Sequence, residues 1–243
     1  MCTVSWMQSR TGFELFFNRD EQLDRAAELP PRLLEEGGTR LVAALDGEAG
    51  GTWLWVNEHG VCVGLLNAYS PATNPLAGSR SRGLLALDLA SCASLMQLHA
   101  RLEVAELAPY EPFRMIGLAP GKDPILLDWD GRELRVDSNA SGQLPLASSG
   151  IDSVQAARER RALLEILVGT GSLRRELLLE FHRSHGAGAD AFSPCMHREE
   201  AETRSLCHVV VGQESVQLAH AAGSPCTTEL GEPVTLERAK GRA

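Results

Sequence analysis

The sequence contains no run of about eighteen apolar residues, so no transmembrane helix is expected. Its start lacks a basic segment followed by an apolar stretch, which argues against a secretory signal. Positive charge is not in excess. The formal net charge is −9, which argues against nonspecific binding to nucleic acid or to an anionic membrane surface. Strict strand–helix alternation is missing, which disfavours a doubly wound parallel sheet. There is no repeat of useful length; the echo of Ser193-Pro194-Cys195 in Ser224-Pro225-Cys226 is too brief to count. The G-x-x-x-x-G-K-[ST], H-E-x-x-H and G-x-S-x-G patterns are all absent. The glycine-rich stretch from Asp46 to Gly51 therefore reads as a turn that needs glycine dihedrals, not as a phosphate loop.

What is present points to a globular chain. Hydrophobic residues make up 44% of 243, ample for a buried core. A single domain over residues 1–243 is expected, with a frayed tail after about residue 227. The six cysteines, at 2, 62, 92, 195, 207 and 226, read as reduced thiols of a cytoplasmic protein. Cys195-Met196-His197 and Cys207-His208 fit no common zinc spacing, so neither a metal nor a cofactor is expected.

Alternation and turn residues predict the elements. Thr3 to Met7 and Phe13 to Phe17 are strands, the second with Phe13, Leu15 and Phe17 on one face. Glu28-Leu29-Pro30-Pro31-Arg32 reads as a loop. Thr39 to Leu45, Thr52 to Glu58 and Val61 to Asn67 are strands, with His59-Gly60 as a turn. Ser79 to Val104 is helical, broken near Ser91. Strands follow at Phe113 to Leu118, Ile125 to Trp129 and Glu133 to Val136. A helix capped by Ser149 or Asp152 runs to about Val168, its Arg158-Glu159-Arg160-Arg161 run on a solvated face. A helix from Ser172 to His185 and a hairpin of Leu206–Val211 with Ser215–His220 complete the chain. Two stacked sheets with helices outside each would bury this many apolar strands.

The stretch with chemical content is the first hairpin. Folded about Arg10, it brings Cys2 roughly opposite Asn18, beside Arg19 and Asp20; a slip of one residue would exchange the faces. Removal of Met1 would leave Cys2 with a thiol and a free α-amine. Their reference pKa values, about 8.5 and about 7.7–8.0, make a matched nucleophile and base. Asp20 could then hold or orient the amine, and Arg19 could lower the thiol pKa. The bland reading is a small apolar residue on a first strand, followed by a polar turn. Asn67, at the tip of an apolar strand face, is either a site residue or the start of a loop through Ser70-Pro71.

Met1-Cys2-Thr3, Asn18-Arg19-Asp20-Glu21, Gly50-Gly51-Thr52-Trp53 and Asn57-Glu58-His59-Gly60 through Leu66-Asn67 resemble the NRDE family, that of the transport and Golgi organisation protein 2. The match continues more loosely through Ser138-Asn139-Ala140. That family is similar to N-terminal nucleophile hydrolases of the choloylglycine hydrolase and penicillin V acylase type. The resemblance implies an α+β fold, a four-layer αββα sandwich. It also implies site roles for Cys2 as nucleophile, for Asn18 and Asp20, for Asn67 at an oxyanion hole, and for Asn139. Phe17 stands where those enzymes have arginine, and Arg19 falls on a position that is usually apolar there. Their later site arginine finds no counterpart in the sequence.

Three functions follow as expectations. One is an N-terminal cysteine amidohydrolase acting on a linear amide of a small molecule. The second, implied by the family's best-studied eukaryotic member, is a non-catalytic carrier of a hydrophobic ligand such as haem, acyl-CoA or lipid. The third is a globular protein with no small-molecule site. No nucleic-acid partner and no membrane span are expected. The cysteine reading predicts that thiol counting under denaturing, non-reducing conditions finds all six thiols; a lower count would contradict it.

Overall fold

The computed structural model describes residues 2–69 and 78–239, so Met1, the Ser70-Pro71 part of the expected loop and residues 240–243 lie outside the description. The strands are β1 (Cys2–Gln8), β2 (Phe13–Gln22), β3 (Leu29–Glu36), β4 (Thr39–Leu45), β5 (Thr52–Asn57), β6 (Cys62–Asn67), β7 (Phe113–Leu118), β8 (Ile125–Trp129), β9 (Leu134–Asp137), β10 (Leu146–Ser148), β11 (Ala201–Val211), β12 (Ser215–Ala222) and β13 (Val234–Glu237). The helices are α1 (Arg82–Asp88), α2 (Leu95–Glu103), α3 (Ser153–Val168) and α4 (Arg175–Arg183). One sheet has the order β10-β1-β2-β11-β12-β13 and the other runs β3 through β9 in sequence. Helices α1 and α2 cover β5, β6 and β7, while α3 and α4 cover β10, β1 and β2. The result is the αββα sandwich.

The alternation of β2 explains the layering. Phe13, Leu15 and Phe17 enter the core between the sheets. Phe16 points the other way and packs with Leu164, Leu178 and Phe181 under the helices. Burying a side chain of this size contributes about 1.5–3 kcal/mol, so a one-residue slip that exchanged the faces would forfeit several such terms. Opposite Phe17, Gly64 of β6 leaves room for the ring: a Cβ there would sit 3.2 Å from it. This close approach sets the end of β6 against the start of β1.

Two of the motif segments are structural. Gly51 lies so near α1 that a Cβ would come within 2.4 Å of the Gly83 carbonyl carbon. Asn57 is fully buried. Its Nδ2 donates to the carbonyls of Ala90 (2.9 Å) and Cys92 (2.8 Å). Its Oδ1 accepts from the amides of His59 and Val61, both at 3.1 Å. Asn57 thus ties the β5–β6 turn to the segment joining α1 and α2.

Several expectations are corrected. Pro30 and Pro31 lie within β3, an edge strand with a register shift between Leu29 and Arg32, where missing amide donors cost nothing. Asn18 to Glu21 form no turn but extend β2. From residue 227 to 239 the tail is not frayed: Val234–Glu237 pair with β12, and Arg238 donates to the carbonyls of Gly212 and His59. Strand β10 is too short to leave an alternation signal. Arg160, expected on a solvated face, is fully buried. It shares the inward stripe of α3 with Ala156 and Leu164, four residues to either side.

Asn57→Ala should cost about 3 kcal/mol, because it strands buried carbonyls and amides. Asn139→Ala, on an exposed loop, should stay within about 0.5 kcal/mol. Urea unfolding of both variants makes the comparison; equal midpoints would refute the structural role of Asn57.

Candidate functional site

The expected hairpin forms, one residue out of the expected register. Gln8 remains in the strand and pairs with Phe13, and the loop is 9–12, closed by a bond from the Ser9 amide to the Gly12 carbonyl (2.8 Å). Cys2 therefore lies opposite Arg19, and Thr3 opposite Asn18. Directly paired residues share a face, so Cys2 and Arg19 face the cleft between the sheets. Asn18 turns to the outer layer, where its Nδ2 donates to the carbonyls of His182 (2.9 Å) and Pro194 (2.8 Å).

Cys2 is only 6% exposed and lines a cleft of about 390 Å³ together with Arg19, Asp20, Trp53, Leu65 and Asn67. Its backbone N–H donates to Ser148 Oγ on β10, at 3.0 Å. Burial pushes the Cys2 thiol up, and the negative charge of Asp20 acts the same way. The terminal ammonium, the Asp20 backbone N–H and Arg19 oppose that rise without cancelling it. A thiol in this position needs a base at hand in order to attack.

Behind Cys2 sits a buried polar network. Arg160 Nη1 donates to the Cys2 carbonyl (3.1 Å) and to Thr3 Oγ1 (2.6 Å). Its Nη2 lies 3.5 Å from Asp20 Oδ2, with both side chains fully buried. The other oxygen of Asp20 accepts from Thr203 Oγ1 at 2.6 Å. A register shift in β11 between Thr203 and Ser205 sets Thr203 opposite Asp20; such irregularities commonly re-aim side chains beside sites.

Arg19 occupies a carboxylate nest. Its guanidinium meets Glu21 (3.1 Å), Glu28 (3.1 Å) and Asp46 (3.0 Å). It also lies 4.6 Å from the centroid of the Trp53 ring. Its charge is thus neutralised locally, which weakens its pull on the thiol. The cleft lining adds Arg25, Arg80, Arg82 and Glu111.

The structure brings Cys2, Arg19, Asp20 and Asn67 together and leaves Asn18 and Asn139 outside. Asn67 ends β6, and its side chain hydrogen-bonds the Tyr69 hydroxyl. Asn139 is exposed, its Oδ1 accepting from the Ser141 amide at 3.4 Å. Sequence reasoning missed Ser148, Arg160 and Thr203. Only Arg160 left a signal: its four-residue spacing from Ala156 and Leu164.

Solved structures that share this fold include an acylase, an acid amidase and a bile acid hydrolase. Penicillin V acylase from Agrobacterium tumefaciens aligns over 95% of this chain and 84% of its own, with a TM-score of 0.54 and 12% identity. The N-acylethanolamine-hydrolyzing acid amidase ortholog of Caenorhabditis elegans aligns over 86% and 92%, with a TM-score of 0.60 and 11% identity. The C2A mutant of conjugated bile acid hydrolase from Clostridium perfringens aligns over 98% and 92%, with a TM-score of 0.58 and 10% identity. No curated protein sequence matches this one significantly. The family model "Transport and Golgi organisation 2" matches residues 1–148, and the chain belongs to that family.

The layer behind the site makes a pH prediction. His182 is fully buried, with its Nε2 2.7 Å from Ser5 Oγ. Burial first, then the charges of Arg160 and His208, pull its pKa down to about 3 from 6.5. Between those values only the unfolded chain protonates this imidazole. Stability is therefore lost as pH falls from about 6.5 toward 3, by about 1.4 kcal/mol per unit. His182→Gln should flatten that slope in urea unfolding at several pH values; an unchanged slope would contradict the assignment.

Proposed function

We propose that the protein is an N-terminal cysteine amidohydrolase that cleaves a linear amide of a small molecule through an acyl-thioester on Cys2. The observation that carries this reading is the setting of Cys2: inward-facing on β1, lining the cleft with Asn67, its backbone nitrogen 3.0 Å from Ser148 Oγ. After removal of Met1 that nitrogen is an α-amine, held by Ser148 beside its own thiol. The solved structures sharing the fold include enzymes named as acylases and amidases, which supports the reaction class.

The steps follow from the groups. The α-amine takes the thiol proton as sulfur attacks the amide carbonyl. Asn67 Nδ2 and a backbone amide stabilise the oxyanion. The resulting ammonium protonates the leaving amine as the C–N bond breaks. Water, deprotonated by the same amine, then attacks the thioester; the C–S bond breaks, the ammonium returns its proton to the Cys2 sulfur, and the acid leaves. Arg160 and Asp20 are positioning residues: Arg160 holds the Cys2 carbonyl, and Asp20 holds Arg160.

The carrier of haem, acyl-CoA or lipid is the rival reading. The cleft lining includes four arginines and four carboxylates, which favours a polar ligand over an extended apolar one.

Intact mass before and after exposure to a panel of acyl amides tests the reaction. Protein beginning at Cys2 should gain an acyl mass that Cys2→Ala never gains. A variant retaining a residue before Cys2 should fold normally and lose activity, because an amide nitrogen accepts no proton. Asn67→Ala should lower turnover by about 10²–10³ with little change in ground-state binding. If protein with Met1 removed forms no adduct, and Cys2→Ala binds haem or acyl-CoA as the wild type does, the carrier replaces the hydrolase.

A further inference from the structure

The 184–200 segment follows α4 without a helix or strand of its own, and it approaches the β12–β13 connection. Their side chains form a cluster that residue spacing alone did not reveal. His185, Cys195, His197 and Cys226 each offer one ligand atom, and all these atoms lie within 4.8 Å of one another. His197 Nε2 is 3.6 Å from Cys195 Sγ and 3.3 Å from Cys226 Sγ. The His185 ring meets that of His197 edge-on, with centroids 5.1 Å apart. The two Ser-Pro-Cys echoes supply the two sulfurs.

We propose that these four residues bind a structural divalent ion of zinc's class in tetrahedral two-sulfur, two-nitrogen coordination. Zinc–sulfur bonds of about 2.3 Å and zinc–nitrogen bonds of about 2.0–2.1 Å give ligand-to-ligand edges of about 3.3–3.8 Å. The two His197–sulfur separations already fall in that range. The outer shell fits as well. His197 Nδ1 lies 3.9 Å from Glu202 Oε2, which sets a carboxylate on the side of the ring away from the two sulfurs. The Cys195 amide donates to the Ser184 carbonyl (3.0 Å) and the His197 amide to the Ala189 carbonyl (3.0 Å), which fixes the ligand backbone. Binding displaces one proton from each cysteine sulfur, while both imidazoles bind neutral, so one ion enters and two protons leave. A complete set of four protein ligands leaves no open position, which makes the site structural and not catalytic.

This inference is independent of the chemistry at Cys2, and its test separates the two. Full-length protein, purified under reducing conditions without chelator, should hold about one zinc per chain by elemental analysis. Stripped protein titrated with cobalt should show the visible absorption of tetrahedral cobalt and a thiolate charge-transfer band. Cys226→Ser and His197→Gln should lose both signals. His185→Asn, at an exposed position, should weaken zinc about tenfold or more while leaving the circular dichroism unchanged. Cys2→Ala should keep the full equivalent and the cobalt spectrum. The site is refuted by chains that hold no zinc and give only octahedral cobalt. It is equally refuted by a Cys195–Cys226 disulfide in place of the ion, or by an equivalent of zinc that survives both Cys226→Ser and His197→Gln.

Discussion

The Arg160 guanidinium is the contact on which the site depends. It is fully buried, and taking such a cation from water costs several kcal/mol that pairing must offset. Its donors reach the Cys2 carbonyl, Thr3 Oγ1, the Phe192 and Ala191 carbonyls and the Asp20 carboxylate. Those partners lie on β1, on β2 and in the segment after α4. A buried pair of this kind is weak evidence for net stability, since apolar side chains of equal volume can do as well. What it supplies is position: the first described residue of the chain is held by its own carbonyl from one side and by Ser148 from the other. Both backbone polar groups of Cys2 are thus used, which fixes the start of β1.

The same network separates the two acidic-basic partners of the motif. Arg19 and Asp20 are neighbours in sequence but serve opposite sides of the sheet. Arg19 faces the cleft and is neutralised by Glu21, Glu28 and Asp46. Asp20 is drawn to Thr203 and Arg160. Neither therefore acts on Cys2 as a bare charge. Burial remains the largest influence on the thiol.

Much of the sandwich was legible because its strands alternate cleanly. Phe13, Leu15 and Phe17 announce the inner face of β2, and β7 and β8 fall where their apolar runs predict. The hairpin register was not legible to the residue. Gln8 can serve either loop or strand, and only the Ser9–Gly12 closure decides it. That single residue moves Asn18 out of the cleft and Arg19 into it. Arg160 was hidden because a charged run reads as solvated unless its helical stripe is followed. The prolines of β3 were misread because edge and central strands look alike in sequence. Of the residues that the family resemblance singled out, Cys2 and Asn67 line one cleft, whereas Asn139, on the looser part of the match, stands apart from it.

The 184–200 segment joins these observations. Its carbonyls at Ala191 and Phe192 receive Arg160, and Pro194 receives Asn18. Thr203, which holds Asp20, also accepts from the Met196 amide at 2.8 Å. A stretch of irregular backbone thus supplies acceptors to the two residues that fix β1 and β2 behind Cys2. Irregular segments of this length are uncommon in compact domains and usually carry a function of their own. An ion bound by His185, Cys195 and His197 within the segment and by Cys226 on the β12–β13 connection would supply a further constraint. The motif asparagine Asn18 then has a physical role outside the cleft. It ties the strand paired with Cys2 to a loop whose shape the ion maintains.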